Sequence, residues 1–386
     1  IYTYLNDRFG KSSHKTGSAF FLLSRIIGAS FRLFLVAGVL QLAFFDAFNI
    51  PFFVTVFVTI VLIWIYTFKA GIKTIVWTDT LQTIFMLAAV IVSAVIIAKN
   101  LNLDFSGVVA TIKSHKQYSQ IFFWDWQSPR FFFKEFFSGA FIALVMTGLD
   151  QDMMQKNLTC KTLKESQKNV ITLSLVLIPV NFLFLSLGVL LYVYASSYGI
   201  ALPEASDDLF PMLAINHFGV FAGFTFLIGI IAAAFSSADS ALTALTTAFA
   251  IDFMDFDIKK DDKKTRQRKT RIHLGISAVV VAVILIFKAI NDDSVISQIF
   301  KVAGYTYGPL LGLFAFGILT KFKLRDKFVP IVAILSPILS YLIAKTIEYF
   351  TDYRFGFELL ILNGAITFVG LWLLSFRKNK TLNRVG

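Results

Sequence analysis

Ten apolar segments, each long enough to cross a lipid bilayer, constrain the fold of this chain more than any other feature. A helix needs about 20 mostly apolar residues to span the hydrocarbon core of a membrane. The predicted spans cover residues 17–45, 49–68, 78–98, 131–150, 169–196, 217–251, 271–289, 294–320, 328–348 and 356–376. They lack the alternating pattern of barrel strands, so we predict an all-α membrane protein with about ten transmembrane helices.

The composition agrees with lipid as the solvent for much of the surface. Hydrophobic residues make up 56% of the 386 residues and charged residues only 16%, whereas about a quarter of a soluble domain is charged. Two spans are expected to depart from a simple helical rod. The sixth is unusually long, and the eighth contains Gly304, Gly308 and Pro309, residue types that weaken or break helices.

Most Lys and Arg residues fall in alternate connections between the spans. With the N-terminus in the cytoplasm, the cytoplasmic connections receive most of them, including the run from Lys259 to Arg271, which we interpret as a solvated loop. The outer connections receive only six, namely Lys99, Lys113, Lys116, Arg130, Lys288 and Arg354. This bias predicts that both ends of the chain are cytoplasmic. Because the basic residues form no patch, we do not expect a nucleic acid partner.

The sequence shows no pattern typical of a catalytic or metal-binding site. Cys160 is the only cysteine and the four histidines are scattered, so neither a disulfide framework nor a transition-metal site is expected. A membrane-embedded prenyltransferase would need DDxxD motifs, and the pairs at 207–208, 261–262 and 292–293 lack the third Asp. We predict neither an enzyme nor a bound cofactor.

Ionisable residues inside the predicted spans are the first candidates for function, because burying a charge in lipid is costly. The candidates selected from them are Arg25, Arg32, Asp79, Glu135, Asp239 and Lys301. Arg25 lies near a helix end and is expected to extend its charge to the surface. Arg32 is too deep for that, and a structural pair with a carboxylate or a helix C-terminus is its alternative role. Glu135 is expected to be solvated.

A stripe of small and hydroxyl residues surrounds Asp239. Ala233, Ser236, Ser237 and Ser240 follow the spacing i, i+3, i+4, i+7, which places them on one face of a helix. Hydroxyl and carbonyl oxygens suit a hard cation, although the same spacing is also typical of helix packing in membranes. Asp239 favours cation binding, because packing gives no reason for a carboxylate at this position.

Four stretches of the chain resemble the sodium:solute symporter family, which includes sodium/glucose, sodium/proline and sodium/sialic acid transporters. Residues 4–10 resemble the loop into the third core helix, and residues 71–82, with Gly71, Trp77 and Asp79, resemble the start of the fifth. Residues 151–156 resemble the loop after the sixth, and the Ala-x-x-Ser-Ser pattern within residues 233–252 resembles the eighth. The four stretches occur in the family's order across nearly the whole chain.

The resemblance implies a leucine-transporter-type fold of two inverted five-helix repeats, with binding sites near the membrane midplane. The family has about thirteen helices. We therefore expect residues 1–386 to form a single transmembrane domain that begins at the third core helix, with an incomplete first repeat. The expected location is a bacterial inner membrane.

Matched residue by residue, the resemblance also implies cation sites. Ala233, Ser236 and Ser237 fall on the eighth-helix half of the main sodium site, and Asp79, Ser236, Asp239 and Ser240 fall on a second cation site. Sodium is thus the expected coupling ion. Two facing carboxylates bind a cation more strongly, or one of them is protonated, so the sodium stoichiometry stays open.

The solute site is expected between the sixth and tenth core helices, with Met146, Thr147, Gln298 and Lys301 as candidate contacts. A sugar-type solute is not supported, because apolar residues replace the polar and Tyr residues of sugar transporters around 143–147. Lys301 predicts a solute with a negative group, and snorkelling to the outer headgroups is its alternative role. We predict sodium-coupled symport of a small organic solute by alternating access. A non-transporting sensor or scaffold with the same fold is the alternative.

Overall fold

The computed structural model describes residues 1–69, 72–128, 130–150, 154, 157, 160–254, 263–290, 294–351 and 353–376, and these residues are mostly helical. The helices are α1 Thr3–Arg8, α2 Lys11–Leu40, α3 Phe52–Lys69, α4 Ile72–Asn100, α5 Phe105–Ser114, α6 Lys116–Ser119, α7 Phe132–Gly148, α8 Leu163–Ser197, α9 Leu209–Asn216, α10 Val220–Met254, α11 Lys263–Ile290, α12 Val295–Leu319, α13 Val329–Thr351 and α14 Leu359–Leu373. Two short strands, β1 Lys323–Leu324 and β2 Ser375–Phe376, pair antiparallel.

The prediction of about ten long helices is confirmed, since each predicted span corresponds to one of α2, α3, α4, α7, α8 and α10 to α14. Within the described residues, six helical stretches are long and apolar enough to cross a membrane: Lys11–Phe48, Thr80–Asn100, Leu163–Ser197, Lys264–Ile290, Val295–Leu319 and Asp326–Thr351. Shorter apolar stretches lie in α3, α10 and α14. An irregularity that the sequence analysis did not predict is the π-helical turn Gln41–Phe45 after α2.

The helices differ sharply in how much apolar surface they bury inside the protein. The most apolar window of α12 is 72% buried, whereas that of α8 is only 6% buried. One buried cluster joins α12 to α2, α3, α7, α10, α11 and α14. A second cluster lies between α4, α8, α9 and the first part of α10. The chain therefore places α12 at the centre of the bundle and leaves α8 for contact with lipid.

Neither the sixth nor the eighth span is interrupted, because α10 and α12 are each one continuous helix, although Pro309 lies inside α12. In α12, the glycines allow close packing against α14 and do not interrupt the helix. A Cβ atom at Gly308 would overlap the amide of Asn363, and one at Gly312 would lie 2.8 Å from the carbonyl oxygen of Gly364. Small residues at such spacing let membrane helices approach closely.

The N-terminus of α2 is capped by a residue more than 300 positions away in the sequence. The carboxylate of Asp326 accepts hydrogen bonds from the backbone nitrogens of Ser12 and Ser13, each at 2.8 Å, and from the Ser13 hydroxyl at 2.6 Å. Gly10 precedes the helix with φ 141°, and a Cβ there would lie 2.6 Å from the same carboxylate. Asp326 thus satisfies N–H groups that have no partner inside the helix and complements the helix dipole. The side of the bundle that contains this cap is called the Asp326 end below.

We predict that Asp326→Ala lowers the free energy of unfolding by about 1–2 kcal/mol, because two partly buried N–H groups lose their acceptor. Asp326→Asn should lose less, since its amide oxygen still accepts one bond. Thermal unfolding in detergent measures both. Asp7→Ala, which removes an exposed carboxylate near the same end, is the control. An Asp326→Ala variant as stable as this control would show that the cap does not stabilise α2.

Candidate cation and solute site

The helices α4 and α10 contain the stretches that resemble the family's fifth and eighth core helices. They cross at a glycine, whose missing side chain allows the two backbones to approach closely. A Cβ atom at Gly229 of α10 would lie 3.3 Å from the carbonyl oxygen of Phe85 and 3.4 Å from the nitrogen of Met86, both in α4. Farther along α4, Ala89 and Val90 share a buried cluster with earlier residues of α10, including Ala222 and Phe226. Because later residues of α4 meet earlier residues of α10, the two helices run antiparallel.

This crossing sets the relative level of the predicted sodium ligands along the two helix axes. Asp79 lies six residues before Phe85 in α4, or about 9 Å along the axis. Ser236 lies seven residues after Gly229 in α10, or about 10 Å in the same direction. The backbone of Asp79 is therefore level with that of Ser236.

The side chains of Asp79, Ser236, Ser237, Asp239 and Ser240 lie outside the described part of the structure, which covers their helical backbone only. Ala233 is described and is half-buried. The ligand set of the cation thus stays a prediction, and the antiparallel packing of α4 and α10 is the structural finding that bears on it.

The predicted solute residues lie on two neighbouring helices. Met146 of α7 is half-buried and packs against the central cluster, and Thr147 beside it is also half-buried. Gln298 is half-buried on α12, whereas Lys301 is exposed, and its charge acts on Glu348 of α13. The four residues do not form one described contact group, so their shared role stays a prediction.

A buried ion pair connects α2 to the end of α7, and the sequence analysis did not anticipate it. Nη1 of Arg25 lies 3.0 Å from Oδ2 of Asp150, and their side chains are only 11% and 3% exposed. The expectation that Arg25 extends its charge to the membrane surface was therefore wrong. The sequence gives no sign that Asp150 is buried, because it is the last residue of a predicted span, where a carboxylate is usually solvated.

Two tyrosines surround this ion pair. The hydroxyl of Tyr2 donates a hydrogen bond to the carbonyl oxygen of Leu149 at 2.9 Å. Burial, with added repulsion from Tyr307 and Asp150, raises the pKa of Tyr2 well above its usual value, so Tyr2 stays a neutral donor. Tyr307 of α12 is buried and lies within electrostatic reach of Asp150, Arg25 and Arg32. Arg32 is thus placed beside a buried polar junction.

The other end of α7 is held by a second charged group. Nζ of Lys134 lies 3.3 Å from Oε1 of Glu358 and 4.0 Å from the centre of the Tyr353 ring. The Tyr353 hydroxyl donates to the same Glu358 oxygen at 3.1 Å. Glu135, expected to be solvated, is half-buried beside this group. Both ends of α7 are thus attached by partly buried charges to helices distant in sequence.

Comparison with known proteins gives a consistent family. The model of the sodium:solute symporter family matches residues 1–323. The sodium/sialic acid symporter NanT of Aliivibrio fischeri is 26% identical over 382 residues, which are 95% of this chain and 73% of that protein. The sodium-coupled monocarboxylate transporter 1 of Homo sapiens is 25% identical over 338 residues, which are 83% of this chain and 53% of that protein.

A solved structure has a similar fold. It shows a Na⁺-coupled sialic acid symporter in a substrate-bound, outward-open state. It aligns with a TM-score of 0.75 and 20% identity over 96% of this chain and 76% of that one. The family match covers most of the chain and the fold agrees with it. The chain therefore belongs to the sodium:solute symporter family, a family of sodium-coupled membrane transporters.

Proposed function

We propose that this protein couples the movement of an anionic organic solute to sodium bound between α4 and α10. The observation that supports the sodium site is the antiparallel crossing at Gly229 and Phe85, which brings the backbone of Asp79 level with that of Ser236. Relatives named for sialic acid and for monocarboxylates support an anionic solute, because carboxylic acids of both kinds are ionised near neutral pH.

The proposed ligands of sodium are oxygen atoms, as a hard cation prefers. The Ala233 carbonyl and the Ser236 and Ser237 hydroxyls form the α10 half of the main site. Asp79, Asp239 and Ser240, with Ser236, form a second cation site. Ligands from two helices make sodium affinity depend on the distance between the helices, and coupling requires such differential binding between states.

Two cations on helices of the central cluster, one exposed and one half-buried, are candidates to bind the solute's negative group. Lys301 is exposed on α12, which also contains Gln298, and the proposed site includes Met146 and Thr147 of α7. Arg32 lies on α2, half-buried and within electrostatic reach of Tyr307. A charge at membrane depth is costly unless it is paired or hydrated, and the carboxylate of a bound solute adds a further favourable contact to either cation.

The Asp326 end of the bundle is proposed to face the cytoplasm. The basic run from Lys259 to Arg271 begins after α10, whose end is joined to the start of α2 by His14 and Asp252 at 3.2 Å. Basic residues favour the cytoplasmic side. In this orientation both ends of the chain lie in the cytoplasm of a bacterium, and residues 1–386 form one transmembrane domain.

We predict that Ser236→Ala and Ser237→Ala each abolish most of the rise in unfolding temperature that sodium produces in the purified protein. A ligand that binds only the folded state stabilises it in proportion to its affinity, and each variant loses a direct ligand. Titration of the unfolding temperature with sodium chloride, against choline chloride at equal ionic strength, measures the effect.

Thr225→Ala is the matched control, because Thr225 is a hydroxyl residue on the same helix that donates within it to the Phe221 carbonyl at 2.8 Å. It should keep the sodium response of the parent protein. Asp79→Asn and Asp239→Asn should reduce the number of ²²Na⁺ ions bound per protein. A parental response in both serine variants would show that the stripe packs helices and binds no sodium.

We also predict that the protein binds N-acetylneuraminate at least about tenfold more tightly than its neutral methyl ester, because one charge-assisted contact is lost in the ester. Lys301→Gln should erase this preference, and Arg32→Gln is tested beside it. Lys345→Gln is the control, since Lys345 is exposed and pairs with Glu348 at 2.9 Å. Erasure by Arg32→Gln alone would place the negative group at α2. Equal affinities in the parent protein would contradict an anionic solute of this class.

A further inference from the structure

A proline inside α12 leaves one backbone carbonyl of this central helix without its normal partner. Pro309 has no N–H group, so the carbonyl oxygen of Tyr305, four residues earlier, lacks the regular helical hydrogen bond from residue 309. A membrane helix must satisfy such a group from elsewhere, because lipid offers no donor. The partner of this oxygen therefore determines whether α12 can keep its shape at Pro309.

Asn363 of α14 supplies the missing donor. Its Nδ2 atom lies 3.0 Å from the carbonyl oxygen of Tyr305 and 3.0 Å from that of Gly304. The residue is 0% exposed, and the missing Cβ of Gly308 provides the space that its amide occupies. Within the described residues the Asn363 oxygen has no hydrogen-bond partner. The orientation of the Asn363 side chain is therefore set by the two hydrogen bonds that its NH₂ group donates.

The neighbouring helix α13 satisfies the equivalent carbonyl in a different way. Pro337 leaves the carbonyl oxygen of Ala333 without its helical partner, and the hydroxyl of Ser336 donates to that oxygen at 3.3 Å. Thr367, one turn after Asn363 on α14, supports Ser336 with a hydrogen bond of 2.7 Å. The donor in α13 belongs to the helix itself, whereas the donor in α12 comes from another helix. The shape of α12 at its proline thus depends on α14.

The segment that Asn363 holds also fixes the position of Tyr307. Tyr307 lies between the two supported carbonyls and Pro309, is 5% exposed, and interacts with Arg25, Arg32 and Asp150. A rotation of the first part of α12 about Pro309 would move Tyr307 relative to α2 and to the end of α7. Pro309 is therefore connected through Tyr307 to the polar junction between these helices.

We infer that Asn363 is a positioning residue for a proline hinge in α12, about which the part of α12 from Val295 to Gly308 changes its angle during the transport cycle. A side-chain amide that contacts two successive carbonyls keeps a donor within reach as the angle changes, which a fixed backbone N–H does not. This inference depends on sodium coupling. It depends neither on the proposed sodium ligands nor on the proposed solute.

The first test is rescue of stability. Asn363→Leu should lower the unfolding temperature by roughly 3–6 °C, since a buried carbonyl loses its donor. Pro309→Ala restores a backbone N–H for the Tyr305 carbonyl, so the double variant should recover most of this loss. No recovery would overturn the inference, because Asn363 would then stabilise something other than the proline site. If Asn363→Leu does not fold, Asn363→Ser replaces it in both variants, since serine keeps one donor.

The second test asks whether α12 moves, and it uses sodium alone as the probe. The single cysteine is first removed by Cys160→Ser, and Ile296→Cys then places a label site on the exposed start of α12. Sodium should change the rate of maleimide labelling at this site at least twofold. Pro309→Ala should remove this change while retaining the sodium-dependent rise in unfolding temperature. Pro337→Ala in α13 is the matched control and should leave the change intact.

Two labelling results would each contradict a hinge at Pro309. One is a labelling rate that does not respond to sodium in the Pro309-containing protein. The other is a full response in the Pro309→Ala variant. If the Ser236→Ala and Ser237→Ala predictions fail while rescue and labelling succeed, the sodium ligands are misassigned and the hinge stands.

Discussion

The lack of hydrogen-bond donors and acceptors in lipid is the constraint on which the arrangement of this bundle depends. An unsatisfied backbone group in the hydrocarbon core costs several kcal/mol, yet the chain places Pro309 and Pro337 inside two adjacent helices. In these two helices the freed carbonyl is supported by α14, through Asn363 directly and through Thr367 by way of Ser336, whereas Pro179 lies inside a third helix, α8. The helix α14 therefore stabilises both α12 and α13, and the short β1–β2 pair holds its end against the α12–α13 connection.

The same cost governs the charges, and it explains why α7 is attached at both ends. Arg25 and Asp150 are tolerated because each neutralises the other, and Lys134 and Glu358 are paired in the same way at the opposite end. Removing one partner of a buried pair is more harmful than removing both, since the remaining charge stays buried. A state in which α7 separates from α2 must therefore find new partners for Arg25 and Asp150. The position of α7 relative to α2 is accordingly restricted to a few arrangements.

The sequence predicted the helices well and their contacts poorly, for a physical reason. Hydropathy depends on each residue's own chemistry, so ten spans could be located from it. Gly308 suggested an interrupted helix, because a sequence does not show that Asn363, 55 positions later, fills the space of its missing side chain. Arg25 suggested snorkelling for the same reason, since its partner Asp150 lies 125 positions away. The predicted sodium residues came from resemblance, and the crossing of α4 and α10 shows how two distant stretches reach one level.

That crossing also explains how ion binding can act on the whole bundle. At Gly229 the backbones of α4 and α10 lie so close that even a Cβ atom would be in tight contact with α4. The two helices therefore have little freedom to approach further at this point. About two turns away, at the level of Asp79 and Ser236, their separation depends on the crossing angle. A cation held by oxygens of both helices favours the angle at which those oxygens converge, and a ligand shifts an equilibrium only by such a difference in affinity. Under the proposed function, the close contact at Gly229 is the point about which sodium binding would change the angle between α4 and α10.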